Sequence, residues 1–222
     1  MTSKHRPQPL PGPVDVPASQ LDEGPHHECG VVGLSGIDAA AELAFLGLYS
    51  LQHRGQESAG ICAISDDEVR LHKGAGLVAD VFSADVLKGL PGRSAVGHVR
   101  YSTAGGSQVL NAQPIVVRYA EGDLAVAHNG NLTNAHHLKT RLVKEGAIFQ
   151  TTSDSEVIVH LIARSREETI DAQVADALNQ VEGAFSLVLT VGEVMYAVRD
   201  PRGYRPLVLG SLEAGHVVAS ET

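Results

Sequence analysis

A cysteine at the head of an apolar run is the first residue in this chain equipped for covalent chemistry. Cys29 ends the polar string His26-His27-Glu28-Cys29 and opens Gly30-Val31-Val32-Gly33-Leu34-Ser35-Gly36. With the peptide bond before it cut, one residue carries both a thiol and a free α-amino group. An α-amine titrates at about 7.7–8.0 and a free thiol at about 8.5, so the amine can take the thiol proton at neutral pH. The plainer alternative is a small buried hydrophobe that merely opens a strand. His26-His27-Glu28-Cys29 is not read as a metal site, because consecutive side chains point apart and do not converge on one ion.

Three further positions have side chains that an amide-cleaving site needs. Asn129-Gly130 is either a tight hairpin turn or a pair of donors, one amide side chain and one backbone N–H, for a developing oxyanion. Arg100 ends an apolar segment and leads into Ser102-Thr103-Ala104-Gly105-Gly106. It is either a solvated cation or a bidentate fork for a carboxylate. Asp154 either offsets a helix dipole or supplies an anion. A thiol, oxyanion donors, a cationic fork and an anion together suit a zwitterionic amino acid with an amide side chain, and glutamine is the natural candidate.

The elements that must position these residues can be read from spacing. Residues 29–34 read as a buried strand. Asp38 caps a helix to about His53 with Gly55 as its stop, and this helix is apolar nearly all round, as expected of a sandwiched element. Strands follow at 59–65 and 69–73, joined by an Asp66-Asp67 turn, then a short helix at 80–87 and a strand at 94–101. The next pair, 115–119 and 124–128, ends where the second strand breaks at Asn129-Gly130-Asn131.

A helix is expected at 134–145 with Gly146 as stop, and Ser153-Asp154-Ser155-Glu156 has capping-box spacing ahead of another. Ile170, Val174, Ala177, Leu178 and Val181 give a third helical period, ended by Gly183. Segments 185–191 and 194–198 form a hairpin across Gly192-Glu193, and strands at 207–210 and 216–220 close the chain. No internal repeat is present. Many short-turn strands with helices grouped between them imply layered α and β structure with mainly antiparallel sheets.

Composition bounds the rest. The 222 residues suffice for one substantial core, which must be built from Ala, Val, Leu and Ile because aromatic content is 4% with no Trp. A net charge of -9 argues against a nucleic-acid partner. Two cysteines are too few for a disulfide framework or a four-thiolate metal site, which points to the cytoplasm. Residues 1–28 contain Pro7, Pro9, Pro11, Pro13, Pro17 and Pro25 without a signal-peptide core, so a disordered tail is expected. No segment approaches the roughly 20 apolar residues of a membrane span.

Six strings, taken in order, go further: Cys29-Gly-Val-Val-Gly33, Leu51-Gln-His-Arg-Gly-Gln-Glu-Ser-Ala-Gly-Ile61, Gly97-His-Val-Arg-Tyr-Ser-Thr-Ala-Gly105, Ala127-His-Asn-Gly-Asn-Leu132, Thr152-Ser-Asp-Ser-Glu156 and Asp200-Pro-Arg-Gly-Tyr-Arg-Pro-Leu207. Over residues 29–222 the chain resembles the glutaminase domain of the amidophosphoribosyltransferase family, within the class II glutamine amidotransferases. The resemblance implies an α+β fold of the N-terminal-nucleophile (Ntn) hydrolase type, a four-layer αββα sandwich with two mainly antiparallel sheets.

It also implies that residues 1–28 are a propeptide whose loss frees Cys29 to attack the glutamine carboxamide. Asn129 and Gly130 match the oxyanion donors, Arg100 the ligand of the substrate α-carboxylate, and Asp154 that of the α-ammonium. Arg54, beside the nucleophile, and Thr103 join the substrate-binding set by the same resemblance. Whole family members use the released ammonia to turn phosphoribosyl pyrophosphate into 5-phosphoribosylamine, the first committed step of purine biosynthesis.

The phosphoribosyltransferase domain of the relatives has no counterpart here, since Asp66-Asp67 runs into Glu68-Val69 and lacks the Gly-rich turn of its binding loop. The resemblance thus makes that domain, or a chain carrying it, the expected partner, and homo-oligomers the expected state of the full enzyme. Magnesium and a 4Fe-4S cluster are implied for the full-length family enzyme and no cofactor for this segment, where Cys62 reads as a packed core residue. The alternative to an active glutaminase is a truncated or unprocessed domain that binds glutamine or a partner chain without turnover.

Overall fold

Short aliphatic runs broken by glycine become strands, and the polar-spaced segments between them become helices. The computed structural model describes residues 29–65, 68–101 and 109–222. The expectations for residues 1–28, for the Asp66-Asp67 turn and for the 102–106 loop with Thr103 lie outside the described residues.

One sheet has the order β3-β2-β4-β1-β10-β9, built from β1 (Gly30–Ser35), β2 (Ser58–Ile64), β3 (Val69–Ala75), β4 (Ser94–Arg100), β9 (Val208–Leu212) and β10 (Gly215–Ala219). The other has the order β5-β6-β7-β8, from β5 (Ile115–Tyr119), β6 (Gly122–Leu132), β7 (Gly183–Val191) and β8 (Val194–Arg199). Every pairing in both sheets is antiparallel. The helices are α1 (Ala40–Ser50), α2 (Val78–Val81), α3 (Ala84–Lys88), α4 (Ala135–Lys144), α5 (Glu156–Arg164) and α6 (Ile170–Gln180).

Alternation along the strands sorts the core into three seams. Val32 and Leu34 of β1 pack with Ala41, Ala44 and Leu48 of α1. Val31, on the opposite face, meets Ala125, Ala127 and Val188 of the second sheet, together with Cys62 and Val96. Leu124, Val126, Leu187 and Leu189 pack outward on Val157, Ile158 and Ile162 of α5. The layers therefore run helix, sheet, sheet, helix. Small residues let the sheets approach closely: a Cβ on Gly33 would stand 2.6 Å from Val188 Cγ1.

Several local expectations are corrected. Asp38 does not cap α1. The N-cap is Ala39 at φ 58°, with no side-chain cap, and Asp38 instead pairs with Arg93 at 3.3 Å. Nor is α1 sandwiched, because Leu46 and Tyr49 on its outer side are exposed. Gly55 ends a 3-10 turn (Gln52–Arg54) with extended backbone, and its lack of a side chain serves close approach, since a Cβ there would lie 2.6 Å from the Arg100 carbonyl carbon. The segment 80–87 is two short helices, not one.

β6 does not break at Asn129 but runs on to Leu132, with Asn129 opposite Ser186 and Gly130 opposite Phe185. The turn reading of Asn129-Gly130 is thereby overturned: the pairing partner across the sheet holds the dipeptide extended. The capping box at Ser153 also fails to form. Glu156 turns back to accept from the Gln150 and Thr151 N–H groups, both at 2.7 Å, and α5 starts without a side-chain cap.

Gly146 does end α4. It sits at φ 90°, and the Gly146→Val143 and Ala147→Leu142 backbone bonds form a Schellman closure. The Gly192-Glu193 hairpin is formed as well, with Gly192 at φ 56°.

Candidate active site

Cys29 stands immediately before β1, and its place two residues from Val31 aims its side chain toward the inter-sheet seam. Asn129, two residues beyond Ala127 on β6, is aimed at the same seam from the other sheet. Where the sheets part, a cavity of about 370 Å³ opens, and its wall includes Cys29, Arg100, Gly130 and Asp154. Thus the ends of β1, β4 and β6 and the start of α5 converge, although these residues are up to 125 positions apart in sequence (154 − 29).

The Cys29 thiol donates to the Tyr101 carbonyl at 3.8 Å. Burial pushes this thiol above the ordinary range. The Tyr101 backbone and the Arg100 charge pull it down less strongly, and the Asp154 charge adds to the rise. Arg54 Nε donates to the Cys29 carbonyl oxygen at 3.2 Å, so Arg54 meets the site through the backbone of the nucleophile.

Asp154 is charged in spite of its burial. Desolvation works against the carboxylate, but His128, the Leu132 N–H at 2.9 Å and the Ser155 hydroxyl at 3.4 Å more than offset it and lower its pKa. Behind it, His128 Nδ1 lies 2.8 Å from Ser155 Oγ, and Gln113 joins both by accepting from His128 N–H and donating to Ser155. His98 ties the sheets together through Nε2 and the His128 carbonyl at 3.1 Å. A carbonyl can only accept, so Nε2 carries the proton, and burial depresses this imidazole to about 3.

Arg100 faces the cavity while its Nη1 donates to Glu57 at 3.0 Å. Asn129 is 1% exposed and lies behind the wall rather than on it, and neither atom of its amide has a hydrogen-bond partner among the described residues. Gly130 reaches the wall by extreme closeness to β7: at φ 143°, a Cβ would stand 2.1 Å from the Ala184 carbonyl oxygen.

The sequence expectations missed Glu57, Gln113, His128 and Ser155, together with Asn111 and Thr152, which bond each other at 2.7 and 3.0 Å on the cavity wall. The available signal was polarity where strand periodicity demands an apolar residue, most plainly at His128 in Leu124-Ala-Val-Ala-His128.

A family model described as a glutamine amidotransferase domain matches residues 98–222, more than half of the chain. The amidophosphoribosyltransferase of Lacticaseibacillus casei is 50% identical over 189 residues, which cover 85% of this chain and 97% of that protein. The chain belongs to this family. The amidotransferase domain is also 50% identical to the chloroplastic amidophosphoribosyltransferase 2 of Arabidopsis thaliana over 203 residues, 90% of this chain and 36% of that protein.

The solved glutamine phosphoribosylpyrophosphate amidotransferase from B. subtilis, complexed with ADP and GMP, superposes with a TM-score of 0.83 at 45% identity, over 87% of this chain and 42% of that one. The chain thus spans well under half the length of several relatives it matches. The amidotransferase domain has the Ntn-hydrolase αββα fold. Among the described residues no helix is long and apolar enough to cross a membrane.

Proposed function

We propose that the amidotransferase domain hydrolyses glutamine to glutamate and ammonia for an amidophosphoribosyltransferase, the enzyme class that opens purine biosynthesis. The carrying observation is the cavity wall that collects Cys29, Arg100, Gly130 and Asp154. Arg100 takes the substrate α-carboxylate and Asp154 the α-ammonium, leaving the side-chain amide directed at Cys29.

Loss of residues 1–28 gives Cys29 a free amine, which receives the thiol proton. The thiolate sulfur then bonds to the amide carbon and the C=O electron pair moves onto oxygen. The Gly130 N–H, on the wall, stabilises this oxyanion, and Asn129 Nδ2, behind the wall and unpartnered among the described residues, joins it by turning into the cavity, each donor contributing about 3 kcal/mol by analogy with other oxyanion holes. Collapse breaks the C–N bond, the proton held by the amine goes to the leaving nitrogen, and ammonia departs from a thioester. Water then adds to that thioester and glutamate leaves, restoring the thiol. Arg54 orders the loop beside the nucleophile as substrate binds, and Thr103 is assigned to the same substrate-binding set.

Ammonia passes to a phosphoribosyltransferase domain or partner chain, in a homo-oligomeric, cytoplasmic enzyme. Magnesium and, in some relatives, a 4Fe-4S cluster are assigned to the rest of the full family enzyme: a cluster needs several cysteine thiolates, and the one cysteine here besides Cys29 is Cys62, fully buried in the inter-sheet seam.

The test is glutamine turnover by protein starting at Cys29. Equal yields of glutamate and ammonia, lost in Cys29→Ala, support the reading, and equal rates in the two proteins defeat it. One observation favours a second reading, a domain that binds glutamine without turnover: burial raises the Cys29 thiol above its ordinary range. Calorimetric binding without glutamate formation by the processed protein would support that alternative.

A further inference from the structure

Arg100 is held at two points by Glu57 and at a third by the residue after it. Its Nη1 donates to Glu57 Oε1 at 3.0 Å, its carbonyl accepts from the Glu57 N–H at 3.0 Å, and Ser58, next in sequence, is its register partner on β2. Gly55 packs against the Arg100 backbone on the same side, where a Cβ would stand 2.6–2.8 Å from its N, C and O atoms. The Glu57 carbonyl is itself fixed by the Gly76 N–H at 2.9 Å.

Both side chains are largely enclosed, with 20% of Arg100 and 13% of Glu57 exposed. The second carboxylate oxygen, Oε2, is buried without a hydrogen-bond partner among the described residues. An enclosed carboxylate spending one oxygen on Arg100 and leaving the other unmatched is costly as a stability device. It makes sense as an orienting one. A guanidinium has five N–H donors in a planar fork. Committing one edge to Glu57 fixes that plane and presents the remaining donors to the cavity.

We propose that Glu57 is a positioning residue that aims the Arg100 fork, and thereby determines the selectivity of this site for substrates with a free α-carboxylate. The inference rests on the glutaminase reading and deepens it. Glu57 touches neither the reacting amide nor Cys29, and acts only through Arg100. Without it the long arginine side chain regains rotamer freedom and loses the bidentate geometry that planar recognition requires.

The test compares glutamine with its α-amide, which keeps the side-chain carboxamide but lacks the carboxylate that Arg100 recognises. In Glu57→Ala, kcat/KM for glutamine should fall about tenfold, the loss of roughly one oriented charge-assisted bond, through KM and not kcat. The same quantity for the α-amide should not change, so the preference between the two compounds shrinks by the same factor. Glu57→Gln retains an accepting oxygen at the Oε1 position and should restore most of the preference.

A parallel fall for both compounds marks a merely structural residue and overturns the proposal, as does a preference that stays the same or grows. If the parent protein releases ammonia from neither compound, the glutaminase reading is the one that fails. Glu57 is then judged by calorimetric binding of the two compounds to Cys29→Ala with and without Glu57→Ala. A selective loss of glutamine affinity supports its role, and equal losses end it.

Discussion

Arg54 is bonded to the backbone of the nucleophile itself, its Nε donating to the Cys29 carbonyl oxygen at 3.2 Å. The far end of the same guanidinium meets the Glu221 carboxylate, which also takes His53 Nε2 at 3.1 Å. One residue earlier, Ser220 and Val31 exchange two bonds, Val31 N–H to Ser220 Oγ at 2.9 Å and Ser220 N–H to the Val31 carbonyl at 3.0 Å. The stretch following β10 is therefore fastened to β1 two residues past the nucleophile and, through Arg54, to the nucleophile's own carbonyl.

Glu221→Ala should lower glutamine turnover several-fold while costing about 1 kcal/mol of stability, because the carboxylate end of the pair is exposed and weakened by solvent although Arg54 is not. Steady-state rates beside a denaturant titration check it. A large stability loss at unchanged rate would assign the pair to scaffolding alone. Arg54, and then His53, hold the Glu221 carboxyl below its ordinary value, so its pairing persists through neutral pH and is lost only as pH falls through that lowered value.

The two thiols should respond differently to alkylation. Cys29 lines the cavity, but its thiol is raised by burial, so with residue 28 attached iodoacetamide should react slowly at pH 7.5 and faster above pH 9. In protein beginning at Cys29 the profile should move toward neutral pH, as the amine becomes available. Cys62, pushed up to about 12 and fully buried, should remain unlabelled until denaturant is added. Mass spectrometry with one label on the folded protein and two on the denatured protein is the expected result; two labels on the folded protein would contradict the packing.

Much of this was legible in the sequence, for a physical reason. Strand alternation and helix period depend on which face is buried, and both sheets follow them, down to Cys62 in the seam. Features that depend on a distant partner were not legible. Asn129-Gly130 has the local chemistry of a turn, and only β7 across the sheet makes it extended. Asp38 and Ser153 look like caps, but Arg93 offers the first an ion pair and the Gln150 and Thr151 amides turn Glu156 away from the second. Glu57 escaped notice because its purpose is defined by Arg100, 43 positions later (100 − 57).

Gly130→Ala tests the close approach directly. Alanine at φ 143° is strained by roughly 1–3 kcal/mol, and its Cβ would overlap the Ala184 carbonyl oxygen, so β6 and β7 must separate. Chemical denaturation should show a loss of about 2–4 kcal/mol, and turnover should fall with it as the Gly130 N–H leaves its place. Gly122→Ala, at another positive φ but with open space around it, should cost less than about 2 kcal/mol and leave turnover intact. Similar effects at the two sites would show that backbone strain, not the approach to β7, determines the outcome.

Asp154→Asn separates charge from shape at the ammonium subsite. An asparagine can still accept from the Leu132 N–H, so the loop geometry should survive, but the countercharge for a substrate ammonium is gone. KM for glutamine should rise at least tenfold with kcat little changed, the ground-state pattern expected when a binding contact is removed. Because the folded carboxyl is depressed below its ordinary 3.8, the parent Asp154 stays charged throughout the working range, and its contribution disappears only as pH falls through that depressed value. The KM of the parent should therefore show no carboxyl titration between pH 8 and about 5. A rise in that window would mean that His128, Leu132 and Ser155 do not outweigh burial, and would remove Asp154 from its assigned role.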